Sequence, residues 1–138
     1  MGRLLAIDYG EKRLGLAISD PNQIISKPLK TIILSDSQYI YNELEKIISD
    51  YEIQKLIIGL PLGMDGKKTQ QTSKVEAFKE DLQNKISIPV ILFDERLSSV
   101  SAKKSLISQG IKTGHNKSKI DQTAAAIFLQ HFLDTLNY

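Results

Sequence analysis

A chain of 138 residues, 41% hydrophobic and 25% charged, has the size and composition of one globular domain, here taken as residues 1–138. It contains no cysteine, which excludes a disulfide framework, thiol catalysis and Cys-based zinc sites. A net charge of +2 is too small by itself to indicate a nucleic-acid partner, so the arrangement of charge has to decide that question.

The first apolar run, Arg3 to Ile7, ends at Asp8, and Asp8-Tyr9-Gly10-Glu11-Lys12 reads as a turn. A second strand is expected over Arg13 to Ser19, with Gly15 and Ala17 keeping one of its sides small. Asp20-Pro21-Asn22 signals another turn, and a third strand is expected within Pro28 to Leu34, so the first three strands form an antiparallel meander. Ile40, Leu44, Ile47, Ile48 and Tyr51 then recur with helical spacing, and Ser37 is placed to cap that helix. Lys55 to Gly59 is a short apolar strand leading into a Gly/Pro-rich loop. Val75, Phe78, Leu82 and Ile86 mark a second helix, whose first turn is expected at Ser73, with Glu76 at capping-box spacing, or slightly earlier. Pro89 to Phe93 reads as a fifth strand buried on both faces. Helices over about 98–109 and 119–136 complete the chain, joined by a basic loop, Gly110 to Lys117. The order β-β-β-α-β-α-β-α-α predicts an α/β fold, a mixed five-stranded sheet with helices on both faces. No apolar run reaches the length of a membrane span and no signal peptide precedes the first strand, which points to the cytoplasm.

Asp8 and the Asp94-Glu95 pair stand where apolar strands emerge, the edge at which open α/β sheets bind ligands. Asp121 lies three, four and seven residues before Ala124, Ala125 and Phe128, on the face of the last helix that packs against the sheet. Clustered carboxylates repel one another and resist desolvation, and a divalent cation removes that cost. Oxygen ligands of this kind favour Mg²⁺ or Mn²⁺. Each acid also has a local explanation: Asp8 as a turn residue, Asp94 or Glu95 as a partner of Arg96, Asp121 as part of a Ser118-x-x-Asp121 cap. Alternation along a strand prevents Asp94 and Glu95 from sharing one face, and the residues alone do not choose between them.

Four blocks in order resemble one family: Asp8-Tyr9-Gly10-Glu11-Lys12-Arg13-Leu14-Gly15 through Asp20, Ile58-Gly59-Leu60-Pro61-Leu62-Gly63 through Gly66, Asp94-Glu95-Arg96-Leu97-Ser98-Ser99, and Asp121-Gln122-Thr123-Ala124-Ala125. Over essentially the whole chain the sequence is similar to the YqgF or RuvX family, first described as Holliday junction resolvases and since associated with processing the 5′ end of pre-16S ribosomal RNA. The resemblance implies an RNase H-like nuclease domain in which Asp8, Glu95 and Asp121 coordinate two Mg²⁺ or Mn²⁺ ions, and so selects Glu95 over Asp94. Gly63 departs from the asparagine common in relatives, which weakens the expectation of a substrate contact from that loop.

The basic residues sit in the loops expected around this edge. Lys12 and Arg13 follow Gly10 in the first turn, Lys67 follows Asp65 in the Gly-rich loop with Lys68 beside it, Arg96 follows Glu95, and Lys112, Lys117 and Lys119 precede Asp121. Gly10, Lys12, Arg13, Asp65, Lys67, Arg96 and Lys119 are therefore the expected substrate contacts, suited to holding phosphates. Tyr9 is the one aromatic expected at the site edge, His115 falls in the basic loop, and His131 near the packed helix face. Sequence-specific readout is not predicted. Asp8-Tyr9-Gly10 also suits an actin-like ATPase, but the chain is too short for the two domains this requires, and Pro61 replaces the first glycine a P-loop needs. The nucleic acid expected is a ribosomal RNA precursor, bound by a monomer, because no extra dimerisation element is visible. Branched DNA held by a two-fold dimer is the nearest alternative, and a non-catalytic factor that recruits another nuclease is the alternative outside enzymes.

Overall fold

The computed structural model describes residues 2–63, 65–94 and 117–136, with the backbone alone over 117–122. Its elements are β1 (Arg3–Tyr9), β2 (Arg13–Ser19), β3 (Ser26–Ile33), α1 (Ser37–Tyr51), β4 (Ile53–Leu60), α2 (Gln70–Lys85), β5 (Val90–Asp94) and α3 (Lys117–Leu136). The expected helix over 98–109 lies outside the described residues, as does the basic loop apart from Lys117.

The strands form a five-stranded sheet in the order β3-β2-β1-β4-β5. β1 pairs antiparallel with β2, and β2 with β3, as the short turns between them require. β1 pairs in parallel with β4, and β4 with β5, through the crossovers that contain α1 and α2.

Strand alternation divides the core in two. Leu5 and Ile7 of β1, Leu14, Leu16 and Ile18 of β2, and Leu56 and Ile58 of β4 face α1 and α2, where Ile40, Leu44, Val75 and Leu82 cover them. Leu4 and Ala6 of β1, Ala17 of β2 and Ile57 of β4 face α3, packed by Ala125, Phe128, Leu129 and Leu133. The small side of β2 is thus the side on which α3 lies. Ser26 and Gln130 pin that helix: Ser26 Oγ donates to the Ala126 carbonyl, Gln130 Oε1 accepts from the Ser26 N–H at 3.0 Å, and Gln130 Nε2 donates to the Ile24 carbonyl at 2.9 Å.

Several boundaries differ from expectation for local reasons. Asp36, not Ser37, caps α1, its Oδ1 accepting from the Tyr39 N–H at 2.8 Å. A carboxylate is the stronger acceptor for an open helix N-terminus. In α2 the capping box is Thr69 with Thr72, beginning four residues before Ser73, and Glu76 pairs instead with Lys68 at 2.9 Å. Among the described residues β5 is the last strand on its side of the sheet, and Ile91, Leu92 and Phe93 are only half-buried rather than covered on both faces.

Thr72 is fully buried, and its hydroxyl donates to the Pro61 carbonyl while accepting from the Thr69 N–H at 3.0 Å. Valine in its place keeps the shape and removes the hydroxyl from the half-buried Pro61 carbonyl and the Thr69 N–H. Thr72→Val is expected to lower stability by about 1–3 kcal/mol, read from the midpoint of urea unfolding.

At the β2–β3 turn Asp20 accepts from the backbone N–H groups of Ile25 at 2.8 Å, Ile24 at 2.7 Å and Asn22 at 3.2 Å. The Ile25 bond leads in holding its carboxyl below the ordinary value, outweighing the opposing effect of desolvation. A depressed carboxyl stabilises the fold above its unfolded pKa, and the contribution disappears as pH falls through the folded value. Asp20→Ala is therefore expected to lower stability by about 1 kcal/mol at neutral pH. The gap to the parent chain should close below about pH 4, a comparison that urea midpoints at the two pH values provide.

Candidate nuclease site

The end of β1 carries the first candidate. Leu4 and Ala6 face α3, and Asp8, two residues further on and half-buried, continues that series. Its cross-strand partner in β2 is Gly15. On the other side, Ile7 pairs with Ile58, so the next step of β4 beside Asp8 is the buried Gly59. The carboxylate therefore leaves the sheet between two residues without side chains, on the face where α3 packs. A polar group placed there can be approached closely by a ligand or another backbone.

Beyond Asp8 the chain enters a tight turn. The Gly10 N–H donates to the Arg13 carbonyl at 2.8 Å, and a Cβ at Gly10 would come 2.9 Å from that oxygen, so the turn needs glycine. Lys12 is exposed at the turn, its carbonyl accepting from the Leu34 N–H at 2.9 Å, and Arg13 is half-exposed at the start of β2. Gln71, which the sequence pattern does not single out, donates through Nε2 to the Tyr9 carbonyl at 3.1 Å. The first turn of α2 thereby holds the segment directly after Asp8. A polar side chain in a helical first turn has no period of its own, so nothing in the sequence distinguishes Gln71 from a solvated residue.

The loop after β4 emerges at the same edge, since β4 runs parallel to β1. It closes through Gly63 N–H to Lys67 O and Gly66 N–H to Gly63 O, both 2.8 Å, with Gly66 at φ 81°. Asp65 Oδ1 accepts from the Lys67 N–H at 2.9 Å, so this carboxylate shapes the turn. A Cβ at Gly63 would lie 2.9 Å from that oxygen, which explains why glycine suits this version of the loop. Lys67 is exposed, and Lys68 is tied to Glu76.

Phe93 faces α3, where its ring meets Phe132 edge-on at 5.4 Å, and Leu92 packs on the opposite side. Asp94, next in the strand, is therefore on the α1/α2 side and not on the face of Asp8. Glu95 and Arg96 lie outside the described residues. Lys119 and Asp121 belong to the first turns of α3, where the backbone alone is described. Asp121 stands one turn before the buried Ala125 and five residues, about 7.5 Å, before the pinned Ala126. Among the described residues no group of three metal-ligating side chains comes together. Asp8 is the expected acid whose side chain is described.

Ring contacts place the two other residues noted in the sequence. Tyr9 lies on the α1/α2 side of the sheet, away from the face of Asp8, its ring packed on Phe78 with centroids 4.7 Å apart. His131 is exposed, and its ring meets Phe93 edge-on with centroids 6.1 Å apart. Among the described residues no helix is long and apolar enough to cross a membrane.

A β3-β2-β1-β4-β5 sheet with an acid at the end of its central strand, and a helix packed against that acid's face, is the RNase H-like fold of resolvase-type nucleases. Over 99% of this chain and 96% of the other, it matches Thermus thermophilus RuvC in complex with Holliday junction substrate, at a TM-score of 0.58 and 14% identity. The fowlpox virus resolvase bound to Holliday junction DNA matches at 0.55, again at 14% identity, covering 99% of both chains. The chain belongs to the RuvX family, described as “RuvX: Holliday junction resolvase”, which it matches over residues 2–135. Among relatives named “Putative pre-16S rRNA nuclease”, that of Roseiflexus sp. strain RS-1 is 39% identical, covering 97% of this chain and 95% of its own. That of Thermoanaerobacter pseudethanolicus is 40% identical, covering 96% of both.

Proposed function

We propose that this protein is a divalent-metal-dependent nuclease that hydrolyses phosphodiester bonds in the ribosomal RNA precursor, in processing of the 5′ end of pre-16S rRNA in the cytoplasm. The observation that carries the reading is the position of Asp8, a carboxylate delivered between Gly15 and Gly59 on the α3 face of the central strand. Names and fold of the relatives agree with this chemistry. Asp94 stands on the other face, which favours Glu95 as the second acid, and the register of α3 favours Asp121 as the third.

Hard carboxylate oxygens fit Mg²⁺ or Mn²⁺, and bound there the cation would stabilise charge on the phosphoryl group and acidify a water. The chain's own residues supply the remainder. Asp8, Glu95 and Asp121 hold the cation, while Lys12, Arg13, Lys67, Arg96 and Lys119 neutralise substrate phosphates around the edge. Gly10 keeps the first turn close to the sheet, so that the backbone does not block the strand's path. Asp65 acts on substrate through the loop shape it imposes on Lys67.

The family description and the junction-bound structural neighbours favour a second reading, cleavage of branched DNA by a two-fold dimer. One assay separates the readings. Purified protein is incubated with 5′-extended 16S precursor RNA and with a four-way DNA junction, each with Mg²⁺, with Mn²⁺ and with EDTA, and its solution mass is measured at the same concentration. A monomer that cuts the RNA only with metal meets the proposal. Symmetric cutting of the junction by a dimer replaces it with the resolvase, and binding without cutting of either substrate replaces it with a recruitment factor.

A further inference from the structure

Opposite the face of Asp8, the top of α1 and α2 leaves a cavity of about 380 Å³ over the end of β1. That volume is within the range of small-molecule sites, about 300–1,000 Å³. Its apolar floor is the Tyr9–Phe78 ring pair, with Leu34 beside it. Tyr41 closes the far end by joining the helices, its hydroxyl 2.8 Å from the Lys85 carbonyl and 2.9 Å from Glu45 Oε1, with the Lys85 ammonium 5.6 Å from its ring centre. The rim carries the Lys74 and Lys85 ammonium groups, and neither is ion-paired among the described residues. Asp81 and the hydroxyls of Ser35 and Ser37 complete the rim.

Rings below, cations at the mouth, and a carboxylate with two hydroxyls at the side match the parts of a nucleotide. A π face takes a base, ammonium groups take a phosphate, and the acceptors take exocyclic and ring N–H groups. The cavity begins at Tyr9, the residue directly after Asp8, yet faces the other way. We propose that it is a binding site for one nucleoside monophosphate unit, separate from the metal-binding carboxylates. The occupant is either an unstacked nucleotide of a bound single strand or a free nucleotide. The strand source rests on the nuclease reading, whereas nucleotide binding itself does not.

The test is therefore made without metal. Backbone amide spectra of the full chain are followed while each of the four nucleoside 5′-monophosphates is added to millimolar concentration, with inorganic phosphate as control. Saturable shifts at Tyr9, Leu34, Ala77 and Phe78 are expected with nucleotides and not with phosphate. Ala77 is exposed on the cavity wall, so Ala77→Trp fills the space from the solvent side without replacing a core residue. This variant should abolish those shifts while keeping the parent's melting temperature. The doubly charge-reversed Lys74→Glu, Lys85→Glu variant, altered only at exposed positions, should weaken nucleotide binding and serves if the tryptophan variant does not fold. Affinity for a short fluorescent single-stranded RNA assigns the source. A loss of about fivefold or more in Ala77→Trp places a nucleotide of the strand in the cavity. Unchanged RNA affinity with lost nucleotide shifts assigns a free nucleotide. Absence of saturable shifts at the cavity with all four nucleotides overturns the proposal, whether or not the protein proves to be a nuclease.

Discussion

Asp8→Asn is expected to reduce metal-dependent cleavage by more than about 100-fold. Loss of a residue that merely orients a metal ligand already costs about 10–100-fold, and removal of a charged ligand must exceed that. Asparagine keeps the size of the side chain and one oxygen, so the β1 end and the Gly10–Arg13 turn should persist. RNA binding measured in EDTA should be unchanged or slightly tighter, because a negative charge has been removed beside the phosphates. The result is read by comparing single-turnover cleavage in Mn²⁺ with anisotropy binding in EDTA on one RNA. If Asp8→Asn cuts as fast as the parent, Asp8 is not a metal ligand and the proposed chemistry fails. Equal loss of binding and cleavage would instead mark Asp8 as part of the fold.

The largest effect on stability is expected from Phe128→Ala. Phe128 is fully buried between α3 and the sheet, with Leu4, Ala6, Ala17 and Ile57 around it. Truncating a buried phenylalanine costs about 3–5 kcal/mol in lost transfer energy and residual cavity. For a domain whose whole stability is about 5–15 kcal/mol, that is a major fraction. The neighbours Ala6, Ala17 and Ala125 are too small to fill the space, which places the effect toward the upper end. The change also loosens the helix that carries Asp121. Cleavage by Phe128→Ala should consequently fail at a lower temperature than in the parent, in step with unfolding followed by circular dichroism. Phe128→Leu should recover most of both. Cleavage lost at temperatures where Phe128→Ala remains folded would mean that α3 positions its acid through Phe128 rather than merely through being folded.

Most of the architecture is legible from period alone. The small side of β2 at Gly15 and Ala17, the stripe Ile40-Leu44-Ile47 and the run Ala124-Ala125-Phe128 are visible by size and spacing, and Ala17, Ile40, Leu44, Ile47, Ala125 and Phe128 are found in the core. The capping errors have one cause: several Ser, Thr and Asp residues crowd each helix start, and spacing cannot say which backbone N–H groups the fold leaves open. Asp36 and Thr69 prevail over Ser37 and Ser73 because the chain enters the helices one and four residues earlier. Gln71 and the Tyr9–Phe78 pair were not legible, since each links segments more than sixty residues apart whose meeting depends on the α2 crossover.

Strand ends, hydrophobic periods and ordered motif blocks are local quantities, so the three candidate acids, the mixed sheet and the family are readable along the chain. Strand pairing and helix packing are what fix the face of Asp8, its flanking by Gly15 and Gly59, the opposite side for Asp94, and the nucleotide-sized cavity behind it. Register and face are properties of pairs of strands, and a single chain read in order contains no pairs until it folds.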